Sequence, residues 1–386
     1  MTKKAWVGIT AVAFAAMVVW AALTMFLKPG TDDQTIPIGV SLPLSGDAAV
    51  WGKSQKDGYD LALYQINAQG GVQGKKLVLI YGDDKGLPKD GVSLLKKFLS
   101  VDGIRLLTGV ANSSVALAYI PIINERHILF ISSGASSPKL SDSSKYFFRT
   151  WPSDHAEAVA MARYAFTELK IKRIGILYIN NDYGIGLSGP FTAAFENLGG
   201  KISGSESFEQ GATDFRTQLT KLQALNPEAI YLAGNPREMG RAIKQARELG
   251  IKTRILSIST LNDPEVVAIT GPRAIEGTVI TDAGLDPASP DPAAQKFMTD
   301  FRAKFGKEPG ILANTAYDAL MVLAHAIEKV GADPDALQTY LHQMKDYPGV
   351  SGKISFSPEG DVHRPIRIAQ AQDGKFVKII SDYRWY

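Results

Sequence analysis

The 386-residue chain has no cysteine. That absence excludes a disulfide framework, a thiolate nucleophile, a cysteine-ligated zinc and an acylated cysteine. Histidine is scarce as well: His127, His155, His325, His342 and His363 show neither H-x-x-x-H nor H-E-x-x-H spacing, so no paired-histidine metal site is legible. A G-x-S-x-G nucleophile elbow is also missing, and no side chains assemble into nucleophile, base and orienter. The reading is of a protein that is not an enzyme and uses no metal and no cofactor. A net charge of +3 spread without a basic block gives no electrostatic case for a nucleic-acid partner.

What is present is 45% hydrophobic and 21% charged residues with 36 Gly and 20 Pro, the make-up of a two-domain α/β protein. Lys3 and Lys4 precede an uncharged run from Ala5 to Leu27, which Lys28-Pro29-Gly30 closes. As a helix that run would span about 35 Å, against about 30 Å of bilayer hydrocarbon. Residues 1–30 therefore read as a membrane-directing segment that sends the rest of the chain out of the cytoplasm. Both a cleaved signal peptide and an uncleaved anchor stay open, because Ala11-Val12-Ala13 and Ala13-Phe14-Ala15 lie early for a cleavage site and bulky Met25, Phe26 and Leu27 hold the late positions.

Beyond this leader, short β-branched runs alternate with amphipathic stretches. IPIGVSL, KLVLIYG, IRLLTGV and HILFISS form one series, and RIGILYI, KISGSESF, AIYLAG, TRILSIS and GTVIT a second. Such a β-α-β-α order calls for two doubly wound parallel-sheet lobes. In the stretch from Asp214, the spacing of Phe215, Leu219, Leu222 and Leu225 predicts one buried helix face. The Pro-rich segments TWPSDHAE, LDPASPDP and SPEGDVHRP read as three crossings that make a hinge. The lobes so defined are residues 36–152 plus 283–358 and residues 153–282 plus 359–386, with the helices from Phe297 to Val330 assigned to the first.

GIGLSG at Gly184 to Gly189 is a literal G-x-G-x-x-G, the fingerprint of dinucleotide enzymes. With this much glycine the pattern arises by chance about 0.3 times in such a chain. Here NNDY separates the preceding strand from the first glycine, and Pro190 stands where a helix should open. The context argues against a pyrophosphate cradle and for a flexible loop carrying Tyr183.

In open α/β sheets ligands sit beyond the carboxyl ends of the strands. In the first lobe those ends carry PLSGDAAVWGKSQ with an exposed Trp51, ANSSVALAYIP with Asn112 or Ser113 as a helix cap, and SGASSP with Ser133, Ser136 and Ser137. A helix N-terminus with neighbouring hydroxyls suits a carboxylate or amide oxygen.

The stretch SLPLSGDAAVWGKSQKDGYDLALYQINAQGGVQGKKLVLIYGDD, followed by TGVANSSVALA, ILFISSGASSP, YINNDYGIGL and NPREMGRAIKQARELGIKT, resembles the leucine/isoleucine/valine-binding family of type I periplasmic solute-binding proteins. The resemblance implies two lobes, three crossovers and a ligand clamped between them. It also implies that Trp51 covers the ligand, Ser113 holds a carboxylate, Gly134 and Ser136 meet an ammonium with Ala135 between them, and Tyr183 descends from the second lobe. The chain departs from the family pattern at Asn235, where a second aromatic is expected, and at Ser259 or Thr260, where an acid would pair with the ammonium. A buried ammonium without a carboxylate is costly. That departure points to a cargo without an α-ammonium, such as an amide, a urea or an aromatic carboxylate, unless Asp263 or Asp282 substitutes. The expectation is a monomeric receptor in the periplasm or on the outer face of the cytoplasmic membrane. It would bind a small-molecule ligand and deliver it to the membrane permease of an ABC transporter. Two alternatives are a membrane-anchored sensor that signals to a partner protein and an exported NAD-dependent oxidoreductase.

Overall fold

Two sheets organise the chain. The structure, a computed structural model, describes residues 34–383, so the leader-like segment 1–30 lies outside the described residues. Among the described residues no helix is long and apolar enough to cross a membrane.

The first sheet contains β1 (Thr35–Leu42), β2 (Lys76–Asp83), β3 (Leu106–Gly109), β4 (Leu129–Ser132) and β5 (Phe147–Arg149) in the order β2-β1-β3-β4-β5. All its pairings are parallel, as the crossover helices α1 (Ala49–Ala68), α2 (Pro88–Ser100) and α3 (Ser113–Arg126) require. Its central strands are apolar throughout, LLTG and LFIS being fully buried, because helices cover both faces.

After β5 the chain enters the second lobe through α4 (Asp154–Thr167). There β6 (Arg173–Ile179), α5 (Asp182–Asn197), β7 (Lys201–Phe208), α6 (Arg216–Ala224), β8 (Ala229–Ala233), α7 (Pro236–Glu248) and β9 (Arg254–Ser257) continue the alternation. Two short helices, α8 (Pro264–Thr270) and α9 (Pro272–Ile275), precede β10 (Val279–Asp282). The chain then returns to the first lobe as α10 (Pro292–Phe305), α11 (Ala313–Val330) and α12 (Pro334–Gln343), followed by the small hairpin β11 (Tyr347–Gly349) and β12 (Gly352–Ile354). Ala316, Leu320, Leu323 and Ile327 of α11 pack into one core with Ile38, Val40 and Tyr59, which joins this returning block to the first sheet.

The third passage ends late. Phe356 bridges to Val362, and the Arg149 N–H donates to the Gly360 carbonyl, so the chain stays on the first lobe beyond residue 358. It then forms β13 (Arg367–Gln372) and β14 (Lys375–Ile380), which join the second sheet antiparallel, in the order β14-β13-β10-β9-β8-β6-β7. Asp373 and Gly374 both take positive φ (51° and 76°), the two-residue turn that suits a twisted hairpin. Within α6 the expected stripe holds for Phe215, Leu219 and Leu222, whereas Leu225 is exposed because the helix has already ended at Ala224.

Candidate ligand-binding site

Three strand ends of the first lobe build one wall. After β1, α1 starts at Ala49, so Trp51 lies in a helical first turn and is buried at 6% exposure, not displayed on an open loop. At the end of β3 the backbone turns sharply at Gly109 (φ 105°), where a Cβ would stand 2.3 Å from the Ser41 carbonyl oxygen. Only glycine fits so close an approach, and the turn brings Ala111 to the cavity. After β4 the loop 133–137 is pinned from below. The Ser132 hydroxyl accepts from the Ala135 N–H (3.0 Å), and Ser113 Oγ accepts from the N–H groups of Ser136 (3.2 Å) and Ser137 (3.1 Å). Under the same loop, Gln55 and Tyr59 donate to Ser133 Oγ (2.7 and 2.8 Å), and Thr315 donates to the Ser133 carbonyl (2.7 Å).

The facing wall comes from the second lobe. Asn181 caps α5 through its side-chain oxygen, which accepts from the N–H groups of Tyr183 (3.1 Å) and Gly184 (3.0 Å). Tyr183 thus projects from a helix, and the glycine motif lies inside that helix, where a flexible loop was expected. Two of its glycines serve packing. A Cβ on Gly184 would meet the Ile179 carbonyl oxygen at 2.0 Å, and one on Gly186 would meet Pro138 of the other lobe at 2.9 Å. Tyr183 stands edge-on to Trp51 with ring centroids 5.7 Å apart, and its hydroxyl lies 2.6 Å from Thr260 Oγ1.

Between the walls is a narrow cavity of about 20 Å³. Trp51, Trp151 and Tyr183 give it aromatic sides, Ile258, Ile311 and Leu312 an aliphatic end, and Ser136 and Thr260 hydroxyl groups. Among the described residues no lysine, arginine or histidine lines it, and the one carboxylate there is Asp154, the first residue of α4. Asp154 is buried at 1% exposure and, among the described residues, pairs with no cation; the Ser136 hydroxyl lies near its carboxylate without completing a well-formed hydrogen bond. Burial pushes its pKa up to about 7, against smaller opposing pulls from the nearby Ser136 hydroxyl and Arg149. Beneath it, Glu157 accepts from the Ser259 hydroxyl (2.5 Å) while its other oxygen is unpartnered, and burial pushes this carboxyl up to about 8.

Of the residues singled out from sequence, Trp51, Gly134, Ser136 and Tyr183 line this one cavity. Ser113, Ala135, Asn235 and Ser259 do not. The Ser113 hydroxyl is committed to the loop amides, which makes it a support for Ser136. Asn235 begins α7 away from the cavity, its N–H donating to the Glu238 carboxylate (3.3 Å). Ser259 turns inward to Glu157, and its neighbour Thr260 faces the cavity. Neither Asp263 nor Asp282 lines it: Asp263 accepts from the Glu265 N–H (2.8 Å) at the start of α8, and Asp282 pairs with Arg367 (3.2 Å). Asp154 and Trp151 were missed, although they sit in TWPSDHAE, the segment read as a crossing. The expectation of a cargo without an ammonium took the acid to be missing, whereas Asp154 places a carboxylate elsewhere in the same cavity.

The sequence model of the periplasmic binding protein family matches residues 35–375. The chain belongs to this family. As a periplasmic binding protein it is a solute-binding component of the ABC-transporter type and not an enzyme. It is 31% identical over 373 residues to Leu/Ile/Val-binding protein homolog 3 of Brucella melitensis, covering 96% of this chain and 98% of that one. The crystal structure of a leucine-binding protein from Thermotoga maritima superposes with a TM-score of 0.84 at 28% identity, covering 89% of this chain and 97% of that one. A branched-chain amino acid binding protein from Streptococcus pneumoniae, in complex with isoleucine, gives 0.84 at 25% identity, over 90% of this chain and 99% of that one. This two-lobed periplasmic binding protein accounts for GIGLSG without a dinucleotide.

Proposed function

We propose that this protein captures a small α-amino acid between its lobes and delivers it to the permease of an ABC transporter on the outer side of the cytoplasmic membrane. The observation that carries the reading is Asp154, a buried carboxylate that no cation among the described residues pairs with at the cavity. A ligand ammonium would supply the missing charge, with the Ser136 hydroxyl beside it. Ligand oxygens would meet the neutral hydroxyls of Tyr183 and Thr260, and an aliphatic portion would contact Ile258 and Leu312. The two lobes then move as rigid bodies about the three crossings, the last of which leaves the first lobe after Val362. Trp51 and Tyr183 close the cavity once ligand is present, a population shift without chemistry.

The three aromatic rings at the cavity also favour a second reading, an aromatic carboxylate stacked between them. An ionised Asp154 disfavours it, because two carboxylates would then share a buried space. A thermal-shift and calorimetric screen of amino acids against aromatic acids separates the two. The expected result is that amino acids alone raise the midpoint and that Asp154→Asn weakens their binding by about 100-fold or more, as removing one partner of a buried charge pair does. Tight binding of an aromatic acid, unaffected or improved by the substitution, would reverse the assignment.

A further inference from the structure

Ile311 lines two cavities. On one side is the cavity of Asp154; on the other is a larger space of about 340 Å³ against about 20 Å³. The larger chamber also lies between the lobes. Asn262 and Asp282 reach it from the second lobe, Leu285 from the second crossing, and Met298 and Asn314 from the returning helices of the first.

The chemistry of the two spaces differs. The first holds an uncompensated carboxylate, whereas the charges at the second are already paired within the protein: Asp282 with Arg367 at 3.2 Å and Arg302 with Glu308 at 2.7 Å. The Asn262 amide donates to Asp282 (3.5 Å) and the buried Asn314 amide donates to Ser351 Oγ (2.5 Å). What the chamber offers is therefore apolar surface from Leu285 and Met298 beside neutral amides. An additional ligand charge would find no unpaired counter-ion there, whereas an apolar chain with a neutral polar end needs none. The first cavity is roofed by the Trp51–Tyr183 contact and shares Ile311 with the second.

We propose that the second chamber is a distal subsite for the same ligand, and that the preferred cargo is an α-amino acid with an unbranched side chain ending in a neutral hydrogen-bonding group. The inference rests on the amino-acid reading above and extends it from the head of the ligand to its tail. Ile311 acts as the waist between head and tail, and Leu285 forms part of the tail's apolar wall.

Isothermal titration of the full protein with L-alanine and L-glutamine tests this. Two buried methylenes are worth roughly tenfold in affinity, so wild type is expected to bind L-glutamine about tenfold or more tighter than L-alanine. Leu285→Trp, which fills the chamber from the crossing, is expected to bring that ratio down by about tenfold. L-alanine binding as tightly as L-glutamine to wild type would overturn the distal subsite whether or not the variant folds, and would leave the amino-acid reading standing. A ratio unmoved by Leu285→Trp would overturn it as well. If neither binds wild type, the distal subsite falls, and the amino-acid reading is decided separately by the wider screen of amino acids. Loss of both ligands in Asp154→Asn reports on the head alone and keeps the two claims separate.

Discussion

Asp154 occupies the first position of α4, where the helix dipole offers partial compensation to a negative charge. That compensation is small beside the cost of burying a carboxylate without a hydrogen bond, which is why burial holds its pKa near 7. The folded state therefore binds a proton that the unfolded chain, with an ordinary carboxyl pKa near 4, has already lost. Across that window the ligand-free protein loses stability as pH rises through about 7. Asp154→Asn should accordingly raise the melting temperature of the ligand-free protein at pH 8 and change it little near pH 4. A destabilised variant at pH 8 would mean that the charge has a partner inside the protein. Glu157, pushed up to about 8, keeps part of the pH slope in the variant. In the sequence, Asp154 is indistinguishable from an ordinary acidic residue in a helix's first turn. Its meaning comes from what fails to surround it, and no local pattern records that. Ser113 and Ser259 mislead for the converse reason: a hydroxyl next to a cavity can bond inward, as these two do to loop amides and to Glu157.

Helix α5 is the element on which sequence and structure part most clearly. Pro190 argues against a helix before it, yet the helix begins at Asp182 and carries the proline inside. A proline removes one intrahelical bond and crowds the backbone carbonyl four residues before it, here that of Gly186, and the helix carries this local cost. The glycine lets the helix approach the loop 133–137 across the cleft, beside inter-lobe contacts from the Lys139 ammonium to the Asp182 carboxylate (3.0 Å) and from the Asp182 N–H to Ser114 Oγ (3.3 Å). Gly186→Val would drive methyl groups into Pro138, whose Cδ stands 2.9 Å from the Cβ position. The variant should bind ligand about tenfold or more weakly, and its radius of gyration in solution scattering should fail to contract on ligand addition. Wild-type affinity and contraction would show that the lobes do not need this approach.

At the scale of the molecule, the alternation of strand and helix was legible because buried parallel strands require apolar β-branched runs and crossover helices between them. The Pro-rich crossings were legible for a related reason, since they interrupt that alternation. The antiparallel hairpin β13–β14 was overlooked despite its Asp-Gly turn, because a short return strand after a loop carries no helical neighbour to announce it. Trp51 and Tyr183 were placed at the cleft by family resemblance, and the folded chain brings them into direct contact. The lobes thus meet over a cavity whose single charge is negative. That arrangement makes ligand capture a proton-linked event. At pH 6 most of the Asp154 carboxyl in the ligand-free protein carries a proton, which an incoming ammonium must displace. Calorimetric titration of an amino-acid ligand at pH 6, in buffers of differing ionisation enthalpy, should report release of close to one proton per ligand bound, falling toward zero at pH 9. Proton uptake, or no exchange at pH 6, would contradict the pairing of Asp154 with the ligand's ammonium.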